Sequence, residues 1–116
     1  MSKHQENMAK AAAYLARFKE TGVLNRIAGE DLPAEGGATF ETISPVDLSP
    51  LATVAKGTAT DIDRAAKAAK AAFDDWASLP GDARKKLLHK IADAIVARAE
   101  EIALVECMDT GQSLRF

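Results

Sequence analysis

Gly57-Thr58-Ala59-Thr60-Asp61-Ile62-Asp63-Arg64-Ala65-Ala66, continued through Ala68-Ala69-Lys70-Ala71-Ala72-Phe73 to Trp76, is the stretch on which the fold turns. Ile62, Ala65, Ala66, Ala69, Ala72, Phe73 and Trp76 recur at helical spacing on one face. The alanines favour helix and let the face approach a neighbour closely. Thr60-Asp61-Ile62-Asp63 has the Ser/Thr-x-x-acid arrangement in which a threonine hydroxyl accepts the first free amides of a helix, so the spacing predicts a start near residue 61.

Upstream, Thr39-Phe40-Glu41-Thr42-Ile43 and Leu51-Ala52-Thr53-Val54-Ala55 are rich in strand formers, and the turn residues between Ser44-Pro45 and Pro50 predict an antiparallel pair. Pro33 to Ala38 reads as a loop, and Val23 to Ala28 with the turn Gly29-Glu30-Asp31 as a small hairpin reaching Leu32. Before it, Met8, Ala11, Ala12, Leu15 and Phe18 predict an amphipathic helix from Lys3 to Lys19, ended by Thr21-Gly22. Its apolar stripe needs cover, either from its own subunit or from an oligomer contact.

Downstream, Leu79-Pro80-Gly81 breaks the alanine-rich helix and Asp82 is placed to cap another. Its stripe runs through Leu87, Leu88, Ile91, Ile95, Ala99, Ile102 and Val105 almost to Met108 as one long helix, with a stop at Asp109-Thr110-Gly111. The pattern is a leading helix, short antiparallel strands and two long helices, which predicts a small mixed α and β unit.

The 116 residues suffice for one core, and 47% hydrophobic with 28% charged residues describe a folded soluble chain. A net charge of -2 gives no field to gather nucleic acid or an anionic membrane, and no apolar run is long enough to span a bilayer or to act as a secretory leader. The lone Cys107 can form no internal disulfide, which suits the reducing cytoplasm, and His4 and His89 have no cysteine at a zinc-ligand spacing.

Four ordered blocks between residues 40 and 111 resemble the aldehyde dehydrogenase superfamily. They are Glu41-Thr42-Ile43-Ser44-Pro45 with Leu51 to Val54, then Gly57 to Ala65 continued to Phe73 and Trp76. Arg84 with Leu87-Leu88, Ile91-Ala92-Asp93 and Ile95 follows, and Glu106-x-x-Asp109-Thr110-Gly111 closes the series. Asp109-Thr110-Gly111-Gln112-Ser113-Leu114-Arg115-Phe116 is similar to the dehydrogenases of hydroxymuconic semialdehydes from aromatic breakdown, although betaine aldehyde dehydrogenases share its Asp-Thr-Gly core.

The resemblance implies an α/β fold: residues 23–116 as the N-terminal portion of a Rossmann-like NAD-binding domain, preceded by a helical extension over residues 1–22. It implies an NAD(P)-dependent oxidation of an aldehyde to a carboxylic acid, by a cytoplasmic homodimer or homotetramer. The family's nucleophilic cysteine, glutamate base and asparagine oxyanion donor lie beyond the position matched by Gly111. The expectation is therefore an inactive N-terminal segment whose natural chain continues past Phe116 and binds NAD or NADP mainly through later sequence. Gly36-Gly37 lacks the sequel of a phosphate-binding loop, and Cys107, beside Val105 and Met108 near a helix C-terminus, reads as a small buried hydrophobe.

One site carries over residue by residue. Family members hold a monovalent cation, sodium or potassium, with backbone carbonyl oxygen in the Thr-Ile-x-Pro strand and the carboxylate of Asp-Thr-Gly. Those positions are Thr42, Ile43 and Asp109 here. The simpler reading of Asp109 is a local cap on the turn at Thr110-Gly111. A non-catalytic α+β interaction module derived from such an enzyme is the competing reading of the chain. It predicts polar replacements along Ile62, Phe73 and Trp76, which the sequence lacks.

Overall fold

A computed structural model describes residues 1–115, leaving Phe116, the last residue of the Asp109 to Phe116 motif, outside the described residues. Helix α1 spans Lys3–Thr21. Ser2 and Gln5 cap it reciprocally, the Gln5 amide donating to Ser2 Oγ at 3.2 Å and the Ser2 amide to Gln5 Oε1 at 2.8 Å. Gly22, at φ 70°, ends it by donating its amide to the Phe18 carbonyl.

Strands β1 (Asn25–Ile27) and β2 (Glu30–Leu32) form a hairpin as expected, but it turns at Ala28-Gly29 rather than at Gly29-Glu30-Asp31, so Glu30 and Asp31 lie in β2 and Arg26 pairs with Asp31 across it. Ala28 and Gly29 both take positive φ, the conformation that matches a two-residue turn to the twist of its strands. The loop that follows holds a short 3-10 turn, Glu35–Gly37.

Strands β3 (Thr39–Ile43) and β4 (Pro50–Ala55) pair antiparallel as expected. Thr42 faces Ala52 while Ile43 faces Pro50, so Leu51 is an extra residue bulged out of the ladder. Val23 adds a bridge on the other side of β4, giving its amide to the Thr53 carbonyl and taking the Ala55 amide, both at 2.8 Å.

Helix α2 spans Ala59–Ser78 and starts earlier than residue 61, because Thr58 rather than Thr60 is its cap. Both threonines precede an acid by three residues. Asp61 decides between them: besides reaching back to the Thr58 amide at 2.8 Å, it accepts the Glu35 amide from the distant loop, whereas Asp63 turns to Lys67.

The long helix expected from Asp82 to Met108 is two helices, α3 (Gly81–Ala97) and α4 (Ala99–Thr110). Arg98 leaves the helical region at φ −114°, ψ 19°, and its amide closes the end of α3 on Ile95 and Val96. Pro80, not Asp82, occupies the position before α3, and no side chain caps it; Asp82 lies inside the first turn, where a carboxylate still favours the helix dipole. The break also turns the buried face of α4 to Leu104 and Met108, leaving Ile102 largely exposed. Gly111, at φ 77°, supplies the left-handed stop that its position predicts.

The core lies between α1, α4 and β4. Ala11 and Leu15 pack with Leu51, Leu104 and Met108, and Met8, Tyr14, Phe18 and Val105 close its edge. The stripe of α1 is thus covered by its own chain except at Ala12, which faces solvent. The stripe of α2 is not, since Ile62, Phe73 and Trp76 remain 69%, 63% and 40% exposed. Leu87, Leu88, Ile91 and Ile95 on α3 are exposed as well.

Candidate functional site

Strand β3 and the end of α4 meet at the residues where the family resemblance implies a cation site. Thr42 Oγ1 donates to Asp109 Oδ1 at 3.1 Å, across 67 residues of sequence. The approach is held on a second point by Gly111, where a Cβ would stand 3.3 Å from Pro45 Cγ in the turn after β3. Thr42 is half-buried and Asp109 exposed, so an ion could reach both from solvent.

Ile43 is the next residue on β3, and its side chain is about half exposed. Pro50, opposite it, has no amide hydrogen to offer its carbonyl, and the bulge at Leu51 interrupts the ladder at the same place. Asp109 lies in the last turn of α4, where unpaired carbonyls carry the negative end of the helix dipole. Hydroxyl, carbonyl and carboxylate oxygens together suit a hard cation. Among the three positions Asp109 alone carries a charge, and the described residues contain no group of three or more His, Cys, Asp or Glu side chains able to hold a metal.

Thr42 and Asp109 both line a groove of about 670 Å³ between α1, the β3–β4 hairpin and α4, walled by Leu15, Phe18, Phe40 and Val54. At the far end of α4 lies a polar cluster that the sequence reading did not single out. Lys10 Nζ contacts Glu100 Oε1 at 2.6 Å, and Tyr14 donates its hydroxyl to Glu100 Oε2 at 2.8 Å. Arg17 pairs with Glu101, which also takes Arg98 Nε at 2.9 Å. The hydrogen bond from Lys10 holds the Glu100 carboxyl below its ordinary value, and that from Arg98 does the same to Glu101. The i, i+4, i+7 spacing of Lys10, Tyr14 and Arg17 along one face was the available signal; their acidic partners stand some 90 residues on.

Asp61 is a second residue whose role went unforeseen. Only 4% exposed, it accepts the amides of Thr58 and Glu35 and the Thr58 hydroxyl, and the Thr58 amide above all holds its carboxyl below the ordinary value. Its partners are all donors from the fold itself, which makes it an anchor of the loop to α2.

Cys107 is half-buried and shares a small cavity of about 190 Å³ with His4, but no hydrogen bond joins them among the described residues. Gly36-Gly37 lies in the 3-10 turn and leads into β3, not into a helix N-terminus, so the glycine pair does not form a dinucleotide phosphate cradle.

A mixed α and β chain of helices around two short antiparallel hairpins has the fold of the N-terminal region of aldehyde dehydrogenases. The match to the family model "Aldehyde dehydrogenase family" covers residues 32–116, and the chain belongs to that family. It is 46% identical over 91 residues to "NADP/NAD-dependent aldehyde dehydrogenase PuuC" of Escherichia coli K12, covering 77% of this chain and 18% of that protein. In structure it is similar to HpcC from Thermus thermophilus, with a TM-score of 0.86 and 40% identity over 96% of this chain and 21% of the other. The NAD+ complex of the Bacillus cereus aldehyde dehydrogenase matches with a TM-score of 0.82 and 37% identity, over 87% of this chain and 21% of that one. The chain thus spans about a fifth of the length of these relatives.

Proposed function

We propose that these residues form the N-terminal portion of an NAD(P)-dependent aldehyde dehydrogenase that oxidises an aldehyde to a carboxylic acid, and that their own contribution is a structural monovalent cation site at Thr42, Ile43 and Asp109. The observation that carries the reading is the Thr42–Asp109 contact, which joins two family blocks at the residues expected to share an ion. The Ile43 carbonyl opposite a proline and the negative end of α4 favour sodium or potassium over a local turn cap alone.

On this reading residues 1–22 are a helical extension and residues 23–116 the outer part of a Rossmann-like cofactor domain. The exposed faces of α2 and α3 support it over a stand-alone interaction module, which would not keep Phe73 and Trp76 in water. These residues offer no cradle for a dinucleotide, so nicotinamide binding falls to other sequence, and the segment by itself is inactive. Cys107 is not the nucleophile: it sits at the C-terminal end of α4, where the dipole opposes a thiolate. The whole enzyme is a cytoplasmic homodimer or homotetramer. The Asp109 to Phe116 motif points to a semialdehyde from aromatic breakdown as substrate.

The test is a steady-state assay of the gene product that carries these residues, with NAD+ and NADP+ and a panel of aldehydes including hydroxymuconic semialdehydes. Reduction of the nicotinamide that survives Cys107→Ser supports the reading. Absence of aldehyde oxidation with every pair, or its loss in that variant, overturns it.

A further inference from the structure

Helix α4 begins without a side-chain cap, one residue after the chain bends at Arg98. The local ties at the bend all run through Arg98, whose amide bonds Ile95 and Val96 and whose guanidinium bonds Glu101. What holds its first turn is α1, a helix that lies upstream of the residues matched by the family model. Lys10 and Tyr14 converge on the two oxygens of Glu100, while Arg17 and Arg98 enclose Glu101, whose side chain is only 14% exposed. Ala11 and Leu15, between these polar groups on α1, press on Leu104 and Met108 in the middle of α4. The far end of α4 is the Asp109 that meets Thr42. Twelve residues make a rod of about 18 Å, so a change of tilt at Glu100 is carried to Asp109.

We propose that α1 is a positioning clamp: Lys10, Tyr14 and Arg17, acting through Glu100 and Glu101, orient α4 so that Asp109 stands opposite Thr42. Its ligand arm rests on the cation reading above; its geometric arm does not. Three groups on successive turns of α1 engage two adjacent carboxylates at an uncapped bend between helices, and the Arg98 side chain at that bend is drawn into the same cluster. The Lys10–Glu100 pair is exposed on both sides, and such surface pairs add little to global stability, so its part in the clamp bears on direction more than on folding.

The experiment compares, in the full chain, the double variant Glu100→Gln with Glu101→Gln against Glu20→Gln with Glu30→Gln. The control removes the same charge from two exposed positions. NMR follows the Thr42 methyl and the Asp109 amide, and a sodium titration follows affinity. The expected result is displacement of both resonances in the clamp variant beyond those of the control, with sodium affinity lowered on the order of 3-fold. Changes confined to α1 and the first turn of α4 overturn the clamp. Failure of the unaltered chain to bind sodium overturns the cation reading, and the two resonances then decide the clamp alone. Should the double variant unfold, Tyr14→Phe deletes one hydrogen bond to Glu100 and is read in the same way.

Discussion

Thr42 and Asp109, one on a strand and the other in the last turn of a helix, are joined by a 3.1 Å hydrogen bond that spans 67 residues of sequence. Replacing the aspartate separates its two roles. Asp109→Asn keeps an acceptor for the Thr42 hydroxyl and is expected to leave stability nearly unchanged, whereas Asp109→Ala loses about 1 kcal/mol, the worth of an ordinary hydrogen bond. Both variants lose sodium or potassium binding, measured by sodium NMR titration. An Asp109→Asn chain that binds sodium as well as the unaltered one contradicts the site.

Asp61 accepts from two backbone amides and a hydroxyl, with no cation bonded to it. Asp61→Ala is expected to lower the thermal midpoint. Asp61→Asn should lower it less, since an amide oxygen in the Oδ2 place still accepts from Thr58 and Glu35 and only its NH2 group, facing the Glu35 amide, is misplaced. Because hydrogen bonding holds the folded carboxyl below its unfolded value of about 4, its stabilisation is complete above that pH and is lost as pH falls through the lower folded value. Glu100 and Glu101 shift in the same direction and remain in the variant. The difference between Asp61→Ala and the unaltered chain should therefore shrink below about pH 4, as followed by thermal melts across the acid range.

Leu15 is 5% exposed at the centre of the α1–α4–β4 core. Leu15→Ala is expected to cost about 2–4 kcal/mol in chemical denaturation, and Ala12→Ser, on the exposed side, almost nothing. A small loss at Leu15 would mean that α1 is not docked as described.

Gly22 combines φ 70° with a close approach, a Cβ there lying 3.0 Å from the Thr53 carbonyl oxygen. That carbonyl already takes the Val23 amide and belongs to β4, so it cannot give way cheaply. Gly22→Ala is expected to destabilise by about 1–3 kcal/mol. Gly29→Ala, with positive φ but open space, should cost less, and an equal loss in the two melts would rule out the steric part of the argument.

Much of the fold was legible in the chain because its signals are local. Turn residues and alternating strand formers act over a few residues, and the two hairpins, α1 and the stop at Gly111 stand where those features put them, whereas the caps expected at Thr60 and Asp82 and the single last helix do not. The three positions of the proposed cation site come only from the family's motifs, since nothing in the spacing of Thr42, Ile43 and Asp109 brings them together.

The kind and order of elements follow from backbone sterics, side-chain capping and apolar periodicity within single segments of the chain. Tertiary structure decided between Thr58 and Thr60, because only one of the two following acids finds the Glu35 amide. It also split the last long helix at Arg98 and turned Leu104 and Met108 inward, because α1 docks there. Thr42 and Asp109 were brought together in the same way. In each case a partner distant in sequence, which no local signal contains, sets the outcome.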